Sequence, residues 1–269
     1  MSMTPFFRRI ACALSLAAAM TGALAGPAAS PPAASPYAAL PQTIASVKPS
    51  IVAIATFQKT RSPALVYRGT GFAAGDGLSI VTNAHVVSGA LDEDGREMLG
   101  IVVGAGKQAS FRQARIVSVD KEHDLAHLKI GGAPLPPLKL ANPDKAVEGQ
   151  EVAFTGFPLG MMLGPYHVTH RAMISSIAPI VLPARNAGKL DAQAIARLKG
   201  DPFLIFQLDG TAYPGNSGSP LYDPQTGELL GVINMVLVKG VKEAAAITHP
   251  SGITYAIPAV HVKGLLERD

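Results

Sequence analysis

Ser217 lies in the stretch Ala212-Tyr213-Pro214-Gly215-Asn216-Ser217-Gly218-Ser219-Pro220-Leu221. Glycines at 215 and 218 let the backbone bend tightly around the serine and leave its hydroxyl uncrowded. They also free nearby N–H groups to point at something other than a sheet partner. An acyl-transfer nucleophile with an oxyanion hole needs both features. A glycine-rich turn between two strands is the plain alternative, so the rest of the chain must supply a base, an orienting carboxylate and a scaffold. Histidine is the usual base near neutral pH. Of the seven histidines, His85 follows a strand-ending turn in Val81-Thr82-Asn83-Ala84-His85-Val86-Val87. A buried carboxylate must hold its ring in one tautomer. Asp124 is the best placed, because it sits where a polar loop meets the strand beginning at Leu125; Asp120 and Asp209 are the substitutes. The order His, Asp, Ser along the chain is one of the known orders for such a triad.

Other chemistry is weaker. His123 and His127 are four apart, which would suit a zinc pair on a helix, but the local pattern is a strand and no third ligand is evident. Asp92-Glu93-Asp94-Gly95 lacks the regular oxygen spacing of a calcium loop. Neither a metal nor a cofactor is expected.

The scaffold must hold these residues together. With 269 residues, 48% hydrophobic and 16% charged, the chain can bury a sizeable core. Its 27 glycines and 22 prolines imply many turns and few long helices. Ile51–Phe57, Arg68–Ala74, Leu78–Val81, Ile101–Val103, Ala114–Val119 and a run from Leu125 read as strands. A proline-rich connection spans Gly131 to Glu148. Strands resume at Glu151–Gly156, Tyr166–Ser176, Phe203–Leu208, Leu229–Val238 and Ile253–Pro258, and Ala259–Glu267 reads as a closing helix. Short strands, frequent turns and a central break predict an all-β protein with two β-barrels in series.

The N-terminus reads as a secretory signal over residues 1–25. Arg8 and Arg9 precede an apolar run from Ile10 to about Met20, and Ala23-Leu24-Ala25 is a small-x-small cleavage site. The apolar run is short for a membrane span of about 20 residues. A periplasmic or secreted protein, with no stable membrane span after cleavage, is the expectation. The only cysteine, Cys12, lies in this leader, so no disulfide staples the remainder. Residues 26–49 are rich in Ala, Pro and Ser and read as a linker, with a short helix between Tyr37 and Val47. The formal charge of +4 falls to +2 without Arg8 and Arg9, and no dense Lys/Arg run appears. That balance argues against a nucleic-acid partner.

Thr82-Asn83-Ala84-His85, His123-Asp124-Leu125-Ala126 and Gly215-Asn216-Ser217-Gly218-Ser219-Pro220 resemble the three catalytic blocks of the trypsin-like serine peptidases. Within that clan the chain is most similar to the bacterial HtrA/Deg family, through Gly69-Thr70-Gly71-Phe72, Gly156-Phe157-Pro158-Leu159-Gly160, Gln207-Leu208-Asp209 and Tyr255-Ala256-Ile257-Pro258. The resemblance implies two six-stranded antiparallel barrels packed together, at about 50–140 and 146–258, then a short C-terminal helix over 259–269. It implies that Ser217 attacks a peptide carbonyl, His85 relays the proton, Asp124 orients His85, and the N–H groups of Gly215 and Ser217 bind the oxyanion. Thr211, six before the nucleophile, falls at the base of the primary pocket, and the strand carrying Asn234 and Met235 falls on its wall. Thr211 is not an acid, which argues against Arg/Lys preference and leaves medium-sized apolar side chains as the expectation.

Departures from the family matter too. Asn216 and the lack of an Ile-Val-Gly-Gly start argue against activation by a freed N-terminus. Ser219 replaces a common glycine. Pro179–Pro202 is an unusual insertion where the family keeps activation loops. No PDZ domain is expected after Pro258. Polypeptides are the implied partners, and a homotrimer is the assembly common in the family. The expected function is therefore an exported serine endopeptidase acting on unfolded or damaged proteins. A trypsin-like fold serving as a low-turnover binding or chaperone module is the alternative. An α/β-hydrolase esterase fits poorly, since strand–helix alternation is missing and the acid and base precede the serine.

Overall fold

The computed structural model describes residues 35, 37–142, 145–180, 203–235 and 252–268. The leader over 1–25, the helical-composition stretch Leu190–Lys199 and His249 lie outside these residues.

Six strands come first: β1 (Ile51–Phe57), β2 (Leu65–Ala74), β3 (Ser79–Asn83), β4 (Met98–Val103), β5 (Ser110–Asp120) and β6 (Leu125–Ile130). They close antiparallel into a barrel in the order β1-β2-β3-β6-β5-β4. The second set is β7 (Glu151–Gly156), β8 (Val168–Pro179), β9 (Leu204–Leu208), β10 (Pro220–Tyr222), β11 (Leu229–Asn234) and β12 (Thr254–Pro258). These close in the order β10-β11-β12-β9-β8-β7. The all-β, two-barrel expectation from the sequence holds. Among the described residues, four short α-helices accompany the strands: α1 (Leu40–Val47), α2 (Ala84–Val87), α3 (Gly160–Leu163) and α4 (Val260–Leu266).

The near-continuous apolar strands bury both faces, and the period of two sorts their side chains between different cores. In β1, Val52 and Ile54 point into the first barrel with Ile80, Ile101 and Leu128. Ile51, Ala53 and Ala55 point the other way, into a cluster shared with Phe157, Tyr222, Val232 and Ile257 of the second half. The second barrel divides likewise: Phe154, Leu221 and Ile233 fill its interior, while Ala153, Tyr222 and Val232 face the shared cluster. Leu40 and Val47 of α1 and Val262 and Leu265 of α4 seal that shared cluster. Each fully buried Ile, Leu or Phe contributes about 1.5–3 kcal/mol, and the shared cluster holds such side chains, Phe72 and Leu125 among them, as the barrel interiors do.

The β1–β2 register shifts between Ile54 and Ala55, whose partners are Gly69 and Tyr67. Arg68 is therefore the extra residue, and such a bulge re-aims the rest of its strand. Gly69-Thr70-Gly71, the next three residues of β2, run along the junction.

The C-terminal helix is fastened beside the β5–β6 turn. Asp120 is buried, accepts the N–H groups of Glu122 (3.1 Å) and His123 (3.0 Å), and pairs with the His123 ring (2.9 Å) and Arg268 (3.0 Å). The His123 ring stacks on His261 of α4 at 3.8 Å, with Phe203 edge-on to both. Burial, then the neighbouring His123, push the His261 imidazolium down to about 4 against an upward pull from Asp120. Burial alone would raise the Asp120 carboxyl, but its bonds to the His123 ring and N–H, with the nearby positive charges, hold it below its ordinary value. An unfolded chain takes up a proton on His261 near 6.5, whereas the folded protein resists until about 4. Stability therefore falls as the pH drops through that window, and Asp120 adds loss of the same sign at lower pH. We expect His261→Phe, which keeps the stack and cannot protonate, to lessen the drop in urea-unfolding free energy between pH 7 and pH 4.5. The difference, discounted for a half-buried ring, is on the order of 1 kcal/mol. Equal losses in the two proteins would count against this account.

Candidate active site

β3 delivers His85. All five of its residues are buried, and the chain then closes one helical turn, α2. Val86 and Val87 anchor that turn in the first barrel's core. The neighbouring His85 ring stays partly open, with 26% of its side chain exposed.

Asp124 ends the turn before β6 in the left-handed region, at φ 51°. That conformation is unusual for a residue with a Cβ, and bonds on every side hold it. Its carbonyl accepts the Ala84 N–H at 3.0 Å and the Asn83 amide at 3.1 Å. Its Oδ1 accepts the His85 N–H at 2.9 Å, and its Oδ2 lies 2.6 Å from His85 Nδ1. A third donor reaches across from the second barrel: Asn234 Nδ2 bonds Oδ2 at 2.7 Å. A carboxylate in this position assigns the proton to Nδ1 and leaves the Nε2 lone pair free to accept one.

The Ser217 loop is pinned peptide by peptide. The Pro214 carbonyl accepts the Leu159 N–H at 2.7 Å, and the Asn216 carbonyl accepts the Ser219 N–H at 2.9 Å. In a planar trans peptide the N–H points opposite to its carbonyl. The Gly215 and Ser217 N–H groups therefore face away from those partners, and neither donates to another described residue. Two such N–H groups in one tight loop can receive a developing oxyanion. Gly215 sits at φ 99°, and a Cβ there would lie 2.4 Å from the Phe157 carbonyl oxygen. A Cβ on Gly218, at φ 85°, would lie 2.0 Å from the Thr70 carbonyl oxygen. Only glycine fits either position.

The loop lies against the strand that leads to His85. Thr70 N–H donates to the Ser217 carbonyl at 2.9 Å, and Gly69 fills the space between Val86 and that carbonyl. The Gly218 N–H donates to the Ile233 carbonyl at 2.9 Å, and the next residue, Asn234, reaches Asp124, so the Ser217 loop of the second barrel is tied to the His85–Asp124 pair of the first. Residues 69–232 match the family model for a trypsin-like peptidase domain. The chain belongs to the trypsin-like peptidase family.

Among curated relatives of this trypsin-like chain is a probable periplasmic serine endoprotease, DegP-like, of Pseudomonas putida. It is 28% identical over 205 residues, which cover 75% of this chain and 35% of the relative. A protein of the same description from Halomonas elongata is 30% identical over 196 residues, covering 71% and 32%. The chain spans about a third of the length of these relatives. Solved structures agree on the fold. The HtrA-type protease AlgW with tripeptide superposes with a TM-score of 0.60 at 22% identity, over 85% of this chain and 62% of that one. The Rv3671c protease from M. tuberculosis, active form, gives 0.56 at 25%, over 84% and 83%.

The trypsin-like frame also sorts the remaining candidates. Asp120 is turned to His123 and Arg268, and Asp209 Oδ1 accepts the Met173 N–H at 2.7 Å. Of the three carboxylates considered, only Asp124 touches His85. His123 belongs to the Asp120 cluster and His127 is buried in β6, so the pair shares no site. Asn234 was expected on the pocket wall, but its amide is directed to Asp124. β11 alternates, so Asn234 shares a face with Val232, which looks toward the barrel junction rather than the second barrel's interior. Met235 is partly buried and packs on the second barrel's core. Thr211 is partly exposed, in a loop held on both sides by Thr254 of β12. The Thr254 hydroxyl donates to the Gly210 carbonyl at 2.6 Å and accepts the Ala212 N–H at 3.0 Å. Thr70 and Asn83 stand in the blocks Gly69-Thr70-Gly71-Phe72 and Thr82-Asn83-Ala84-His85, but the sequence assigned neither a contact; Thr254, whose only signal was a hydroxyl beside a strand, was missed altogether.

Proposed function

We propose that this chain is an exported serine endopeptidase that cleaves peptide bonds in unfolded or damaged polypeptides through Ser217, His85 and Asp124. The observation that carries the reading is the His85–Asp124 contact at 2.6 Å, crossed by Asn234, beside a serine loop with two outward N–H groups. Ser217 Oγ attacks the scissile carbonyl carbon while its proton passes to His85 Nε2. The carbonyl oxygen becomes an oxyanion held by the Gly215 and Ser217 N–H groups, a contribution of about 3 kcal/mol per donor in such sites. The tetrahedral intermediate collapses, the C–N bond breaks, and His85 gives its proton to the leaving amine. Water, deprotonated by His85, then hydrolyses the acyl-enzyme and restores Ser217. Asp124 stabilises the imidazolium at both proton transfers. Thr211 at the pocket base favours medium-sized apolar side chains. Export through a leader cleaved after Ala25 accords with the relatives' periplasmic description. No helix among the described residues is long and apolar enough to cross a membrane.

The test combines labelling with a cleavage map. A fluorophosphonate is expected to modify Ser217 in the folded protein. Mass spectrometry of a denatured protein substrate is expected to show cuts after apolar residues with wild type and none with Ser217→Ala. A folded wild-type protein without adduct on Ser217 at any of several pH values would sink the peptidase reading.

A further inference from the structure

Thr70 is fully buried in β2, and each of its polar groups is engaged at the barrel junction. Its N–H donates to the Ser217 carbonyl at 2.9 Å. Its hydroxyl donates to the Gly215 carbonyl at 2.7 Å and accepts the Phe157 N–H at 3.0 Å. Its own carbonyl accepts the Thr82 hydroxyl at 2.6 Å. Thr82 lies in β3, three residues before His85. One residue of the first barrel therefore clasps two carbonyls of the nucleophile loop, and the strand that carries the base clasps that residue in turn. Room for any other arrangement is small. A Cβ on Gly156 would lie 2.8 Å from Thr70 Oγ1, and one on Gly218 would lie 2.0 Å from the Thr70 carbonyl oxygen.

We infer that Thr70 is a positioning residue for the reaction proposed above, on which this role rests. Its hydroxyl sets the Gly215–Asn216 peptide, and its backbone sets the Ser217–Gly218 peptide. Together they fix where the Gly215 and Ser217 N–H groups point and how far Ser217 Oγ lies from His85. The physical reason is that the loop and the base belong to different barrels. Without a cross-barrel tie, the loop's glycines would let it drift by fractions of an ångström, and misplacement of that order is costly to a transition state. Apart from its backbone, the tie is one hydroxyl that donates once and accepts once, a pattern valine cannot reproduce at nearly the same shape.

The experiment compares the full chain as wild type, Thr70→Val, Thr70→Ser and Ser217→Ala. It reads kcat and KM on fluorescein-labelled casein and the second-order rate of fluorophosphonate labelling. Thr70→Val is expected to lower kcat by about 10- to 100-fold with KM changed less than about threefold, because the loss falls on the transition state. The labelling rate should fall in parallel. Thr70→Ser keeps the hydroxyl and should stay within about threefold of wild type. Wild-type kcat in Thr70→Val, or an equal loss in Thr70→Ser, overturns the role. Should Thr70→Val fail to fold, Thr82→Val replaces it. That change removes only the hydroxyl on the Thr70 carbonyl, and an unchanged kcat and labelling rate would again overturn the role. Wild-type protein no more reactive than Ser217→Ala overturns the peptidase reading and this role with it.

Discussion

His85→Ala is expected to lower casein turnover by about 10⁵- to 10⁶-fold while the protein stays folded. The loss is that large because no neighbouring group can replace the ring. Asp120 and His123 are committed to each other, and Asp209 is committed to the Met173 N–H. The fold survives because the ring is not part of a core. Val86 and Val87 anchor α2, and the residue's N–H still donates to Asp124 Oδ1. Asp124 also keeps the Asn234 amide, so its carboxylate is not left unpaired. A rate somewhat above the uncatalysed one should remain from the oxyanion donors and substrate binding. Casein cleavage by purified variant, with circular dichroism as the folding control, measures both parts. Cleavage within tenfold of wild type would move the base to another residue.

Asp124→Asn should cost about 10⁴-fold in kcat with nearly native stability, through the tautomer rather than the fold. Both carboxylate oxygens of Asp124 act only as acceptors: Oδ1 from the His85 N–H, and Oδ2 from His85 Nδ1 and Asn234 Nδ2. Asparagine offers one acceptor and one donor. If its NH₂ takes the Oδ1 place, it faces the His85 N–H. If it takes the Oδ2 place, it opposes the Asn234 amide and donates to His85 Nδ1. The second arrangement moves the ring proton to Nε2, where it blocks acceptance of the Ser217 proton. Backbone strain does not rise, since asparagine tolerates the left-handed conformation at φ 51° at least as well as aspartate. The decisive readout is kcat against thermal midpoint. An equal drop in both would assign the effect to folding, and undiminished kcat would remove Asp124 from the mechanism.

Much of this was legible from residue types. Alternating and continuous apolar runs marked the strands, because a side-chain period of two is a local property of an extended chain. Gly215 and Gly218 announced a loop that only glycine can form, and the structure gives the cause in two carbonyl oxygens that a Cβ would strike. His85 stood out through its turn and its valines. The short helix at Leu40–Val47, within a stretch otherwise read as linker, followed from local composition too.

The partners of these groups were not legible. Three aspartates stood as partners for His85, and Asn234 read only as pocket wall. Those partnerships rest on contacts between residues 39 apart for His85 and Asp124, 110 apart for Asn234 and Asp124, and 145 apart for Thr70 and Gly215. No local pattern encodes such pairs. They depend on strand register, on the bulge at Arg68 and on which face of each barrel meets the other, and a one-residue slip in register would reverse every face. The sequence by itself determined the kinds of groups available and the loop that exposes a serine. Only the tertiary structure decided which carboxylate holds the histidine and which threonine holds the loop, because the first contact is made where two strands of one barrel meet and the second at the junction with the other, and neither is local in the chain.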